Sequence, residues 1–210
     1  AVAPVDAAKV ISPEFKESGN TVVMVPLVRD SSGMPDFKKV NAAFHRIAEM
    51  IALKRIVSAK TVRLGGVAAA VSVMAFGNRI GFEFEANVSR EQLFRPDHGS
   101  MILELASGEN PDAILNGIEY VLLGQTVDEP FISVMGASIS LDDARMTWEA
   151  TLEKVFPTKA SVPAGTPAGS LGAAKERRRS ALRLAKPRVL IPVFPGSNCE
   201  YDTARAFEKA

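Results

Sequence analysis

The sequence predicts an α/β fold: a mixed sheet covered by helices, then a linker and a truncated strand-turn-helix. Three observations carry that prediction. Apolar residues recur at spacings of three and four between residues 36 and 54, whereas short β-branched or alternating runs lie on either side. Read in order, the elements give β-α-β-α-β-β-(α)-β-β-α, a mixture of crossovers and a hairpin that favours a mixed sheet. After residue 157 the apolar patterning stops and Pro, Gly, Ala and Ser take over.

Residues 1–20 carry Pro4, Pro13 and a Gly19-Asn20 turn, and read as an entry segment. Thr21–Leu27 is β-branched and apolar, as a buried strand requires. Gly33 and Pro35 mark a loop, and a helix is expected from about Asp36 to Lys54. Its positions Phe37, Val40, Phe44, Ile47 and Ile51 share the face that should pack on the sheet. Ile56–Val62 is the next strand and Gly65–Phe76 the second helix. In Ile80–Ala86 the residues Ile80, Phe82 and Phe84 alternate with Gly81, Glu83 and Glu85, the pattern of a half-buried strand. Met101–Ala106 is a further strand, and Pro111–Asn116 a short helix.

Tyr120–Thr126 and Phe131–Ile139 flank Asp128-Glu129-Pro130 and read as an antiparallel pair. A third long helix starts at Ser140, with Asp143 in the capping-box position. Leu141, Ala144, Trp148, Leu152 and Val155 form its expected buried stripe, and Pro157 ends it. These elements delimit a domain over residues 21–157, without internal repeats.

Residues 158–187 are different in kind. Pro163, Gly165, Pro167, Gly169 and Gly172 alternate with Ala and Ser, a composition that cannot bury a core. Lys175-Glu176-Arg177-Arg178-Arg179, Arg183 and Lys186 make the stretch basic. It lacks the interleaved aromatics of a nucleic-acid surface, so it reads as a solvated linker. Residues 188–210 then begin something new. Val189–Phe194 is an apolar run of strand length, and Pro195-Gly196 forces a turn. Ser197 is placed to cap a helix Cys199–Ala210, with Glu200 three residues on. Strand, turn and helix are the first third of a βαβ unit, so the chain is expected to be a piece of a longer protein.

Composition excludes several classes. The chain has 210 residues, 47% hydrophobic, with a formal net charge of +1, and a mean hydropathy of +0.08. That charge gives no broad attraction to nucleic acid or anionic membrane. One cysteine allows no internal disulfide. The opening Ala-Val-Ala-Pro-Val-Asp has no signal-peptide pattern, and no apolar run approaches the roughly 20 residues of a membrane span. The expectation is a cytoplasmic soluble fragment.

Two stretches resemble one family. Residues 188–207, with Pro195-Gly196-Ser197-Asn198-Cys199 followed by Glu200 and Asp202-Thr203-Ala204, resemble the start of the class I glutamine amidotransferase domain of phosphoribosylformylglycinamidine synthase. Upstream, Gly65-Gly66-Val67-Ala68-Ala69-Ala70 through Met74-Ala75-Phe76-Gly77-Asn78-Arg79-Ile80-Gly81 resembles the carboxy-terminal domain of that enzyme's second synthetase half. The two stand in the family's own order. The resemblance implies that residues 21–157 form a sandwich like the carboxy-terminal domain of aminoimidazole ribonucleotide synthetase. It implies a parent ligase acting on formylglycinamide ribonucleotide, with ATP, Mg²⁺ and glutamine. Its partners would be the remaining synthetase and amidotransferase domains and small-molecule substrates, with no nucleic acid and no membrane. The fragment alone would be inactive. Two alternatives stand beside this: a non-catalytic nucleotide-binding or structural module, and another ATP-dependent enzyme of the aminoimidazole ribonucleotide synthetase superfamily.

No residue of the chain is assigned a catalytic role. Gly65 and Gly66, at a helix start, would let backbone amides approach a phosphate; equally, they would let the helix sit close against the sheet. Leu64 stands where family members often place a polar residue. Arg79 could clamp a phosphate beside Asn78, or Gly77-Asn78 could simply end the helix in a left-handed cap. Cys199 lacks the Gly-x-Cys context and histidine base of a glutaminase nucleophile. His45 and His98 belong to the upstream domain, and with one cysteine they are too scattered for a metal cluster. Glu83 and Glu85 read as a solvated strand face.

Overall fold

The strand β1 (Thr21–Val25) faces two hydrophobic cores at once. Val22 and Met24 point into one and Val23 and Val25 into the other, as the two-residue period of a strand demands. Each of these side chains is buried, and each such burial contributes roughly 1.5–3 kcal/mol. A strand apolar on both faces needs a covering layer on each, and helices supply them.

The computed structural model describes residues 5–157 and 188–209. It groups them into two units, one within residues 1–160 and one within 161–210. The first unit contains a seven-stranded sheet in the order β2-β4-β1-β5-β3-β6-β7. The remaining strands are β2 (Ile56–Thr61), β3 (Gly81–Phe84), β4 (Met101–Leu105), β5 (Val121–Val127), β6 (Phe131–Val134) and β7 (Ala137–Ser140). Every neighbouring pair is antiparallel except β3 and β6, which run parallel. The mixed α/β sheet expected from the sequence is therefore present.

Helix α1 (Phe37–Ala52) covers one face through Ala43, Ile47 and Met50, over Leu103 and Leu105 of β4. The short α4 (Pro111–Ile114) closes the same side with Ile114. Helix α2 (Gly66–Asn78) covers the other face with Val67, Ala70, Val71, Met74 and Ala75. It is apolar nearly all round, as befits a helix set between sheet and further structure. Leu93 of α3 (Arg90–Phe94) and Leu141 of α5 (Leu141–Ala150) join that core. The entry segment joins it too: Phe15 is fully buried and stacks on Phe82 with ring centroids 5.5 Å apart.

Several expectations are corrected. Phe131–Ile139 is not one strand but a hairpin, β6 and β7, turned at Met135-Gly136, both with positive φ. Nor does it pair with β5, because β3 lies between them. The chain from Val127 to Phe131 crosses the start of β3, where a side chain at Gly81 would collide with the carbonyls of Glu129 and Phe131. The stripe of α1 is rotated from the expected one: Phe37 is 69% exposed and Phe44 44%, while Ala43 and Met50 do the packing. The helix expected from Ser140 to Pro157 ends at Ala150, which leaves Leu152 and Val155 in the turns beyond α5; of the expected stripe Leu141 is buried, and Trp148, Leu152 and Val155 are each more than half exposed. Helix α3 falls in a stretch to which the sequence reading assigned no element, and Ser89 with Gln92 forms its capping box.

In the second unit, α6 spans Glu200–Lys209. Val189–Phe194 forms no strand among the described residues. Ser197 serves the turn instead of capping: its hydroxyl accepts the Phe194 amide at 3.1 Å. The linker expected over residues 158–187 lies outside the described residues.

Candidate functional site

β2 hands the chain to α2 through Val62, whose buried amide donates to the Ser100 carbonyl at 2.8 Å. Gly65 then takes φ +87° and Gly66 φ +68°, a left-handed step that glycine alone adopts cheaply. Each glycine also has a steric reason. A β-carbon on Gly65 would meet that of Ala69 at 2.6 Å. One on Gly66 would strike the carbonyls of Leu93 and Arg95, so α2 starts in contact with the backbone of α3 and its exit. The packing role is thus visible in the geometry.

The amide of Gly66 is engaged by the Arg63 carbonyl at 3.0 Å. The next two amides, of Val67 and Ala68, belong to the first turn and have no intrahelical partner. Val67 borders a cavity of about 130 Å³ that Gln92, Arg95, Asp97 and Glu119 also line. The Arg95 guanidinium grips Asp97 with two bonds, at 2.9 and 2.8 Å. This pairing holds the Arg95 pKa above its ordinary value. The cavity therefore offers a cation whose charge is already matched by a neighbour.

Asn78 and Arg79 lie at the other end of α2, about 18 Å away at 1.5 Å per residue. The two pairs of candidate phosphate contacts therefore lie at opposite ends of α2. Asn78 donates its side-chain amide to the Phe15 carbonyl at 2.8 Å. Arg79, rather than Gly77 or Asn78, takes the left-handed position, with φ 58° and ψ 32°. Its guanidinium reaches both oxygens of Asp142 at 2.7 and 3.1 Å. That double hydrogen bond lowers the Asp142 pKa and raises the Arg79 pKa.

One polar cluster escaped the sequence reading. Glu104 in β4 is fully buried and accepts the backbone amides of Lys16 and Glu17 and the side-chain amide of Asn20. Burial pushes its pKa up, and the hydrogen bonds from Asn20, Lys16 and Glu17 pull the other way. Thr126, also buried, donates to the Glu17 carbonyl at 2.7 Å. The signal was a lone carboxylate inside an otherwise apolar strand. Glu83 and Glu85 sit on an exposed strand face and border an open groove of about 760 Å³ with Gln125, Ser133 and Ser138.

Cys199 is exposed, with its sulfur 3.0 Å from the Asn198 side-chain oxygen. Among the described residues, no group of three or more His, Cys, Asp or Glu could hold a metal ion. No helix among them is long and apolar enough to cross a membrane.

No protein-family model matches the chain. It is 32% identical over 124 residues to the phosphoribosylformylglycinamidine synthase subunit PurL of Thermoplasma acidophilum, covering 52% of this chain and 16% of that protein. Among solved structures, Thermotoga maritima PurL complexed with FGAR matches at a TM-score of 0.53 and 14% identity, over 65% of this chain and 29% of the other. The same protein complexed with ATP matches at 0.53 and 14%, over 66% and 27%. At such identity the structural likeness establishes the fold. The chain spans only 16% of the curated relative's length. Sequence and fold together relate it to a segment of phosphoribosylformylglycinamidine synthase.

Proposed function

We propose that the chain is a segment of a phosphoribosylformylglycinamidine synthase, a cytoplasmic ligase of purine biosynthesis. The parent would convert formylglycinamide ribonucleotide to formylglycinamidine ribonucleotide with ATP and glutamine. The observation that carries this is the 32% identity to PurL over 124 residues, in a chain whose tail also resembles the amidotransferase domain. In this reading the synthetase half moves a phosphoryl group from ATP to the substrate's amide oxygen. Ammonia from the amidotransferase domain then attacks the activated carbon, and inorganic phosphate leaves.

This segment's contribution is positional. The amides of Val67 and Ala68 at the start of α2 would meet a phosphate, and the missing side chain of Gly65 keeps the approach open. Among the described residues no three or more acidic, histidine or cysteine side chains gather to hold Mg²⁺. A complete active site would need the parent's other domains, and the 210-residue chain alone should be inactive.

A second reading, a structural wall or non-catalytic nucleotide module, is favoured by one observation. Asn78, Arg79 and Gly66 are all engaged in contacts within the chain itself.

The test is turnover of formylglycinamide ribonucleotide and ATP by the full-length parent, with glutamine or ammonia as nitrogen donor. Product with both donors, and none from the 210-residue chain, supports the ligase. A full-length protein that binds nucleotide but forms no product with either donor supports the second reading.

A further inference from the structure

Three buried polar side chains meet on one face of the sheet, and their hydrogen bonds do not balance. Glu104 and Ser58 are fully buried and Asn20 is 1% exposed. Ser58 of β2 stands directly opposite Glu104 of β4 in the antiparallel ladder, so both side chains rise from the same face with β-carbons about 4.5–5.5 Å apart. Asn20, just ahead of β1 on the other flank of β4, donates its side-chain amide to Glu104 Oε1 at 2.8 Å. That oxygen also accepts the amides of Lys16 and Glu17, whereas Oε2 accepts Lys16 alone. Among the described residues, Asn20 Oδ1 and Ser58 Oγ have no hydrogen-bond partner, although buried polar groups are nearly always paired. Asn20 Oδ1 and the second lone pair of Glu104 Oε2 can only accept; the Ser58 hydroxyl can also donate.

We infer that this cluster binds one internal water molecule, which donates to Glu104 Oε2 and Asn20 Oδ1 and accepts the proton of the Ser58 hydroxyl. Water matches the three groups in kind: two donors for two acceptors, and a lone pair for the hydroxyl. Three hydrogen bonds are also the usual complement of a buried water. A bare cation would leave the Ser58 proton without an acceptor, and three oxygens fall short of the about six to eight that a hard cation such as Ca²⁺ takes. The water completes the tie between sheet and entry segment, because it adds Ser58 of β2 to the groups through which Glu104 holds residues 16–20. A carboxylate set in an otherwise apolar strand is thereby solvated from within.

A high-resolution crystal structure of the full-length protein should show a density peak about 2.5–3.0 Å from Glu104 Oε2, Asn20 Oδ1 and Ser58 Oγ. A structure without that peak overturns the inference. Ser58→Ala reads the same bond in solution, where the sign of the effect decides. Removing a hydroxyl that binds water should lower the folded-to-unfolded ratio roughly 2- to 10-fold in chemical denaturation, the worth of one hydrogen bond. A buried hydroxyl without a partner costs stability where it stands, so an unchanged or raised ratio overturns the inference. The ratio is also measured with sodium and potassium replaced by tetramethylammonium at constant ionic strength. No change is expected; a fall assigns the site to a metal cation and overturns the water. If Ser58→Ala does not fold, the density in the unaltered protein still decides. None of these readouts depends on turnover, so a protein that fails as a ligase leaves the test intact.

Discussion

Both carboxylate oxygens of Glu104 accept the backbone amide of Lys16, at 3.0 and 2.9 Å. An internal strand and the entry segment are thereby tied together across the chain. The tie is reinforced by Phe15, whose amide donates to the Met74 carbonyl at 3.0 Å and whose own carbonyl accepts from Asn78. Residues 12–20 are thus part of the sheet's cover rather than a lead-in to it.

Glu104→Ala should unseat that segment. It strips acceptors from the Lys16 and Glu17 amides and from Asn20, and a buried donor left unpaired costs about 1–3 kcal/mol. A loss of several kcal/mol is expected in chemical denaturation, with the m-value showing whether residues 12–20 detach. The pH dependence has a definite sign. The folded pKa of Glu104 is raised above 4.5, so its contribution is fully present below the ordinary value and is lost as pH rises through the folded one. Glu104→Gln should abolish that part of the decline, and an unchanged slope in the variant would refute the assignment.

Glu14 should act in the opposite direction. Hydrogen bonds from Lys16 and Ser12 lower its pKa from 4.5 to about 2. Its stabilisation is therefore present above pH 4.5 and is lost as pH falls towards 2. Glu14→Gln should flatten the acid limb of the stability curve over that interval and leave the pH dependence above it as in the parent sequence.

Gly66→Ala separates packing from ligand binding. The added methyl group meets the carbonyls of Leu93 and Arg95 in a left-handed backbone, and overpacking of this kind typically costs about 1–3 kcal/mol. Lower stability is expected in either case. If the first turn of α2 also holds a phosphate, the folded full-length variant should bind nucleotide or substrate about ten- to a hundredfold more weakly, the value of one charge-assisted hydrogen bond. Unchanged affinity would confine Gly66 to packing.

Cys199→Ala in the full-length parent should leave glutamine hydrolysis intact. The thiol is exposed beside Asn198, in a turn that holds no histidine. Loss of glutaminase activity with normal folding would make Cys199 the nucleophile and overturn the reading of the tail.

Elements whose burial is set by their own pattern were legible: β1, α1 as a helix, α2 and the alternation of Phe82 and Phe84 with Glu83. What periodicity could not give was what lies opposite each face. Phe37 and Phe44 belong to the helical pattern of α1, yet the sheet meets Ala43 and Met50, because smaller and more flexible side chains allow closer contact. The β5–β6 hairpin was inferred from adjacency in sequence, and a third strand from elsewhere intervened. The glycines of α2 were found at their place, but Arg79 was read without Asp142, sixty-three residues away. Glu104 was passed over because a single carboxylate in a strand says nothing about the amides that will reach it.

The crossing over Gly81 governs how this end of the domain is held. Among the described residues the hairpin β6–β7 has one sheet neighbour, β3, which itself lies against β5. A hairpin held along a single edge is the piece that local unfolding should release first. A residue with no side chain acts as the sill over which that piece arrives, so the connectivity at this end of the domain depends on position 81 remaining empty.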